Sequence, residues 1–245
     1  MAKYILFDTE TTGNQPNDRI IQMGLMVVHN KEHIDSYETF CFTQEPIKVE
    51  AMEVHHITPS MIQDAPPITE TTEWEVLHSL NQPENYLIAH HIEFDLKMIE
   101  KEGFENHYTL IDTLRCAKHL LPDSPYHRLQ YLRYSLELYK DEPQEAKKYH
   151  LSLQAHHALS DVIVMKLLLS KLVQLTLESY PDKNPLAKMA ELTQTPVLMK
   201  TFKFGKYKSS SIEEIAQEDR GYLKWMRNNL ELDADMQYTL DYYLG

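Results

Sequence analysis

The chain has 245 residues, 42% of them hydrophobic and 25% charged, with a formal net charge of -13. That is ample for one sizeable core with a small appendage, and the charge excludes a protein that coats nucleic acid over a broad basic surface. No apolar run reaches the roughly 18 residues a membrane span needs, no signal-peptide layout opens the chain, and only two cysteines occur, Cys41 and Cys116, so reduced thiols and a cytoplasmic location are expected.

Residues 3–8 (KYILFD) are apolar and predict a buried strand, followed by strands over 19–30 and 34–43 in a meander. Residues 54–67 read as a loop and a short helix capped near Thr58, stopped by prolines. A helix is expected over 68–81, a short strand over 85–90 and a helix over 93–103 ended by Gly103. Residues 108–122 read as a strand entering a helix, and 128–139 as another helix. The longest helical stretch, 153–180, is apolar at near-helical spacing from Ala158 onward. Three strands followed by alternating strands and helices predict an α/β fold, a mixed sheet flanked by helices. The expected organisation is a domain over 1–180, a linker with a short helix over 181–198 and a small C-terminal unit over 199–245.

The stretch FDTETTG sets Asp8 and Glu10 two residues apart at the end of the first strand. Such residues share a face. Two carboxylates side by side repel, so one holds a proton or a cation lies between them. Oxygen donors favour Mg²⁺ or Mn²⁺ over zinc, and a bound cation reverses the local sign in an otherwise acidic chain. Asp95 falls at a helix start, where the helix dipole favours an acid. Asp161 borders the apolar run Val162–Met165 and needs a partner there. On a continuous helix His157, four residues before Asp161, shares its face more closely than His156 does. The pairs His55–His56 and His90–His91 lack cysteines at zinc-site spacing.

Taken together, D-x-E on the first strand, Asp95 in AHHIEFD and Asp161 in HHALSD resemble the DEDDh subclass of 3′–5′ exonucleases over residues 3 to about 178. The resemblance implies a ribonuclease H-like fold. It implies a cage of Asp8, Glu10, Asp95 and Asp161 for two Mg²⁺ or Mn²⁺ ions, and His156 rather than His157 as general base. EAMEVHHIT is similar to a stretch of polymerase proofreading subunits, which implies substrate contacts from Glu50 and His55. Thr11 would meet the terminal nucleotide through its backbone, and Asn14 and Gln15 lie in the turn beside it. The sequence departs from the family at His56, where glycine is common, at His91, where asparagine is usual, and at Gln22, where glutamate is frequent. The departure at His91 falls on a position expected to touch substrate.

The C-terminal elements TFKFGKY and DRGYLKW resemble the tail of bacterial exodeoxyribonucleases X. Between Lys200 and Lys208 stand four lysines and no acid, interleaved with Phe202, Phe204 and Tyr207. Lysines neutralise phosphates and aromatics stack on exposed bases, so a DNA grip through Lys203, Lys206 and Lys208 is expected, with the aromatics mostly buried and the lysines free. The resemblance implies release of nucleoside 5′-monophosphates from the 3′ end of single-stranded or duplex DNA, in DNA repair. The alternatives are an exonuclease of the ribonuclease T type acting on RNA, a proofreading subunit and an inactive binding module. A homodimer is left open.

Overall fold

A computed structural model describes residues 2–30, 33–149 and 158–245. Strands β1 (Tyr4–Thr11), β2 (Ile20–Val28) and β3 (Ile34–Phe40) form the antiparallel meander. Strands β4 (Tyr86–Ala89) and β5 (Thr109–Asp112) add in parallel on the other side of β1, giving the order β3-β2-β1-β4-β5. The first strand is therefore central. Its residues are apolar in an unbroken run because both faces are covered.

Alternation along β1 sorts the two faces. Ile5 and Phe7 join Leu25, Val27 and Leu87 in one core, closed by helices α3 (Thr72–Ser79) and α4 (Ile92–Lys101) through Trp74, Leu77, Ile92 and Ile99. Leu6 joins Met26, Ile88 and Ile111 in the other. That face is covered by α5 (Thr113–Leu120), α6 (Leu129–Ser135), α8 (Ala158–Ser179) and α9 (Pro185–Gln194). The short helix expected after residue 180 is α9, and it buries Met189 and Leu192 in this core. Cys41 and Cys116 are buried free thiols, both pushed up to about 12 by burial. Among the described residues no helix is long and apolar enough to cross a membrane.

Several local expectations are corrected. Helix α1 (Val49–His55) has too short an apolar face to announce it: Val49 and Val54 point outward, Ala51 and Met52 pack partly buried against the cluster of Ile21, Ile47 and Ile57, and only His55 is fully buried. It is followed by α2 (Pro59–Ile62), whose N-cap is Thr58 as expected. The helix over 128–139 stops at Ser135 because Glu137 turns into the left-handed region, with φ 58°. A 3-10 turn over Leu138–Lys140 then buries Leu138, and α7 (Glu142–Lys148) follows. The C-terminal helices α10 (Ile212–Glu218), α11 (Arg220–Asn229) and α12 (Ala234–Leu244) enclose a separate small core of Phe202, Ile215, Leu223, Met226, Met236 and Leu240. Asp235 anchors this unit. It accepts from Arg115 Nη1 at 2.6 and 2.8 Å and from the Val197 amide at 2.9 Å.

Candidate active site

The sheet brings together what lies far apart in the sequence. Asp8 and Glu10 lie on the β1 face that carries Leu6, opposite Gly24 and Gln22 of β2, and the register shifts between Glu10 and Thr11. Such a bulge ends regular pairing and re-aims the side chains beside it. Helix α8 then crosses this face with Asp161 in its first turn. Its approach depends on Gly24, since a Cβ there would lie 2.6 Å from the Leu159 amide nitrogen and 2.8 Å from the Ala158 carbonyl carbon. Two acceptors hold the amides at this end of α8. Gln22 Oε1 accepts from the Ala158 amide at 3.2 Å and Glu38 Oε1 from the Leu159 amide at 3.0 Å. The departure at Gln22 thus keeps an acceptor where the helix needs one.

Asp8, Glu10 and Asp161 each present an oxygen within 4.8 Å of the other two. Asp95 comes from the opposite layer, on α4. Its Oδ1 accepts from the Thr9 amide at 3.1 Å and the Thr9 hydroxyl at 2.7 Å. This pins a buried carboxylate behind the first strand. The charges of the other three acids bear on Asp8. Asp8 is held well above the usual carboxylate range by burial first, then by the charges of Asp95, Glu10 and Asp161. Burial, then Asp161 and Asp95, pushes Glu10 up to about 8. Asp95 is pushed up to about 7 by burial, against the pull of its bonds to Thr9.

The remaining expected residues are placed as follows. Thr11 ends β1; its hydroxyl donates to the Gly13 carbonyl at 2.7 Å. His55 is buried and both its ring nitrogens are engaged. Nδ1 accepts from the Ile57 amide at 2.9 Å and Nε2 donates to the Thr11 carbonyl at 3.2 Å. Burial lowers its pKa, so the ring is a neutral brace for the strand end. Glu50 is exposed in the first turn of α1. Asn14 and Gln15 are exposed in the turn after β1, joined by a 2.7 Å side-chain bond. His91 is exposed at the start of α4 with φ 78°, and His56 caps α1 with φ 59°. Both departures from the family pattern therefore keep the left-handed backbone that asparagine or glycine adopts more readily. His90 has both ring nitrogens engaged, by Thr113 and the His127 carbonyl, which removes it as a zinc ligand. His156 lies outside the described residues.

Sequence reasoning missed the supports. Gln130 of α6 donates to Asp161 Oδ1 at 2.8 Å and accepts from Arg133 at 3.2 Å. Arg133 in turn grips the buried Glu142 of α7 with two bonds of 2.6 and 2.5 Å. Asp18 is buried beneath the turn after β1, held by Lys48 at 2.6 Å and by Thr12 at 2.9 Å. Its pKa is lowered, with the bonds from Lys48, the Gln15 amide and Thr12 outweighing burial. None of these pairs has a sequence signature, because each depends on how separate elements dock.

The lysine segment is corrected in part. Phe202 is buried and Tyr207 half-buried, but Phe204 is exposed. Lys206 is not free: it pairs with Asp219 at 3.2 Å and lies over the Tyr207 ring at 4.5 Å. Among the described residues Lys203 and Lys208 have no ion-pair partner. Both line a groove of about 760 Å³ between the C-terminal unit and the segment Lys118–His127.

The raised carboxylates give a pH dependence with a definite sign. Between the unfolded value of 4.5 and about 8, native Glu10 keeps a proton that the unfolded chain has lost. Stability therefore falls as pH rises through this window, while divalent cation binding, which displaces the proton, strengthens. In EDTA the calorimetric midpoint is expected to drop between pH 5.5 and 8.5, and the gain on adding Mg²⁺ to widen. A cation-induced gain that is flat or shrinks with pH would contradict this reading.

A mixed sheet whose central strand ends in clustered acids defines an enzyme with the ribonuclease H-like fold. The chain belongs to the exonuclease family, whose model matches residues 5–169; a second model, for the exodeoxyribonuclease X-like C-terminal region, matches residues 202–231. Exodeoxyribonuclease 10 of Escherichia coli strain K12 is 28% identical over 240 residues, 98% of this chain and 97% of that one. A PolC-type DNA polymerase III of Staphylococcus epidermidis is 32% identical over 184 residues, 71% of this chain but 11% of the polymerase. Exonuclease X, solved in complex with 5′ overhanging duplex DNA, shares the fold with a TM-score of 0.53 at 22% identity, covering 78% of this chain and 99% of that one.

Proposed function

We propose that the protein is a 3′–5′ exodeoxyribonuclease that releases nucleoside 5′-monophosphates from DNA 3′ ends, and that DNA repair is its setting. The observation that carries this reading is the convergence of Asp8, Glu10 and Asp161, each with an oxygen within 4.8 Å of the others. The near-full-length similarity to an exodeoxyribonuclease supports DNA as the substrate. The residues fit a divalent pair: the donors are all carboxylate oxygens, and their mutual repulsion is what a cation relieves. Asp8, Glu10, Asp161 and Asp95 would hold two Mg²⁺ or Mn²⁺ ions. When bound, such ions acidify a water and stabilise the departing oxygen.

The chain's own residues do the rest. Thr9 fixes the Asp95 carboxylate, and Gln130 orients that of Asp161. His156 accepts the proton of the attacking water, its ordinary pKa of about 6.5 suiting that role near neutrality. The Thr11 backbone, with Glu50, His91 and the turn at Asn14–Gln15, borders the terminal nucleotide, and His55 braces that strand end. In this organisation residues 1–180 form the nuclease domain, 181–198 the connection, whose helix α9 packs into the nuclease core, and 199–245 the DNA-binding appendage. The groove that carries Lys203 and Lys208 takes DNA beyond the cleaved end.

The test is a Mg²⁺-dependent time course on 3′- and 5′-labelled single-stranded and duplex DNA, with matched RNA. Early mononucleotide release from the 3′ label, slower on RNA, is expected and is lost in His156→Ala but not in His157→Ala. Release from the 5′ end, or preference for RNA, would overturn the reading. A second prediction concerns the groove. In Lys203→Gln/Lys208→Gln, affinity for DNA should fall and the slope of log Kobs against log salt should flatten by about 1.4–1.8, which is about 0.7–0.9 per phosphate contact. An unchanged slope would remove these lysines from the interface.

A further inference from the structure

The hairpin between β2 and β3 carries a second group of ligand-type side chains, at the end of β2 away from the acids. His29 lies opposite His33, its amide donating to the His33 carbonyl at 3.1 Å. Asp35 stands two residues on in β3, paired with Val27. Residues opposite one another and residues two apart project on the same face. The ladder itself therefore gathers His29, His33 and Asp35 on one side of the hairpin. That side is continuous with Val27 and Leu25, the face opposite to the one bearing Asp8 and Glu10.

The side chains meet there. His29 Nε2 lies 2.9 Å from one Asp35 oxygen, and His33 Nε2 lies 3.2 Å from the other. The two imidazoles stack with centroids 4.5 Å apart. One ligand atom from each of the three lies within 4.8 Å of the others. Tetrahedral zinc has bonds of about 2.0–2.1 Å, so neighbouring ligand atoms in such a site stand roughly 3.3 Å apart. The two nitrogen–oxygen distances are close to that spacing, and the full set of ligand atoms lies within 4.8 Å. His33 is well exposed, with 62% of its side chain open, so the site is reachable and leaves room for a water or an outside ligand. Two nitrogens and one carboxylate suit zinc and its neighbours and do not suit Mg²⁺, which prefers oxygen and keeps its waters.

We propose that His29, His33 and Asp35 form a binding site for a transition-metal dication of the zinc type, separate from the catalytic acids. Six residue steps along β2 separate Gln22, beside the acids, from Val28, roughly 20 Å at strand rise. Occupancy ties both strands of the hairpin together and leaves the acids accessible to Mg²⁺.

The test is a Co²⁺ titration of the full chain in a large excess of Mg²⁺, followed by calorimetry and visible absorption. Wild type and Asp8→Asn are both expected to bind one Co²⁺ equivalent with ligand-field bands typical of nitrogen donors. His29→Ala/His33→Ala should lose that equivalent, and Asp35→Asn should weaken it at least tenfold, with Mg²⁺-dependent nucleotide release unchanged. Equal binding by wild type and the double variant would overturn the proposal, as would loss of the equivalent in Asp8→Asn.

Discussion

Replacing Asp8 with asparagine is expected to lower kcat by at least about a thousandfold while raising the thermal stability of the metal-free protein. The two effects share one cause. Asp8 is half-buried beside Glu10, Asp95 and Asp161, and each of those charges opposes its ionisation. Near neutrality the apoprotein must hold a proton on Asp8 that the unfolded chain gives up, a cost asparagine does not carry, and about 1 kcal/mol of relief corresponds to about 2–4 °C in a chain of this size. The substitution also removes a ligand from the cage, and a thousandfold loss corresponds to about 4 kcal/mol of transition-state stabilisation. Steady-state release from a 3′-labelled oligonucleotide measures the first effect, and calorimetry in EDTA the second. A variant that is inactive and also less stable without metal would mean that Asp8 serves the fold rather than a cation.

Gly24→Ala is expected to cost about a hundredfold in turnover without touching any acid. Position 24 faces Asp8 across the β1–β2 ladder, and the added methyl would press on the backbone of residues 158 and 159. Those atoms are the start of α8, so they cannot yield as a flexible side chain would. The helix must lift, and Asp161 lifts with it. A misplacement of about 1 Å in a catalytic constellation costs on the order of 100-fold, whereas overpacking of this size costs about 1–3 kcal/mol of stability. Circular dichroism should show the fold retained, and the Mn²⁺ isotherm should weaken. Turnover within a few-fold of wild type would mean that the close docking of α8 is not what sets Asp161.

These two predictions also mark what the sequence could reveal. Asp8 and Glu10 were legible because alternation along a strand is local physics. The central strand was legible for the same reason. The choice of Asp161 and Asp95 as their partners came from family spacing, since nothing local joins residues separated by 87 and 153 positions of chain from Asp8. The supports were illegible. Gln130 matters only because α6 faces Asp161, and Gln22 only because α8 begins above β2. Helix α1 is illegible in the sequence because its valines face solvent and its packed pair, Ala51 and Met52, is too short to form an apolar stripe. Helix α9 followed a proline- and lysine-rich stretch with the look of a connection, yet Met189 and Leu192 complete the core under the sheet. In the C-terminal segment, composition announced the lysines, but only the fold distinguishes Lys206, held by Asp219, from Lys203 and Lys208 in the groove.

The most direct measurement is a Mn²⁺ titration at pH 8 in the presence of a nucleoside 5′-monophosphate, comparing wild type with Asp8→Asn and Asp161→Asn. Two ions per chain are predicted for wild type, with tight binding lost in both variants. Superimposable isotherms for all three proteins would contradict a cation cage built from these carboxylates.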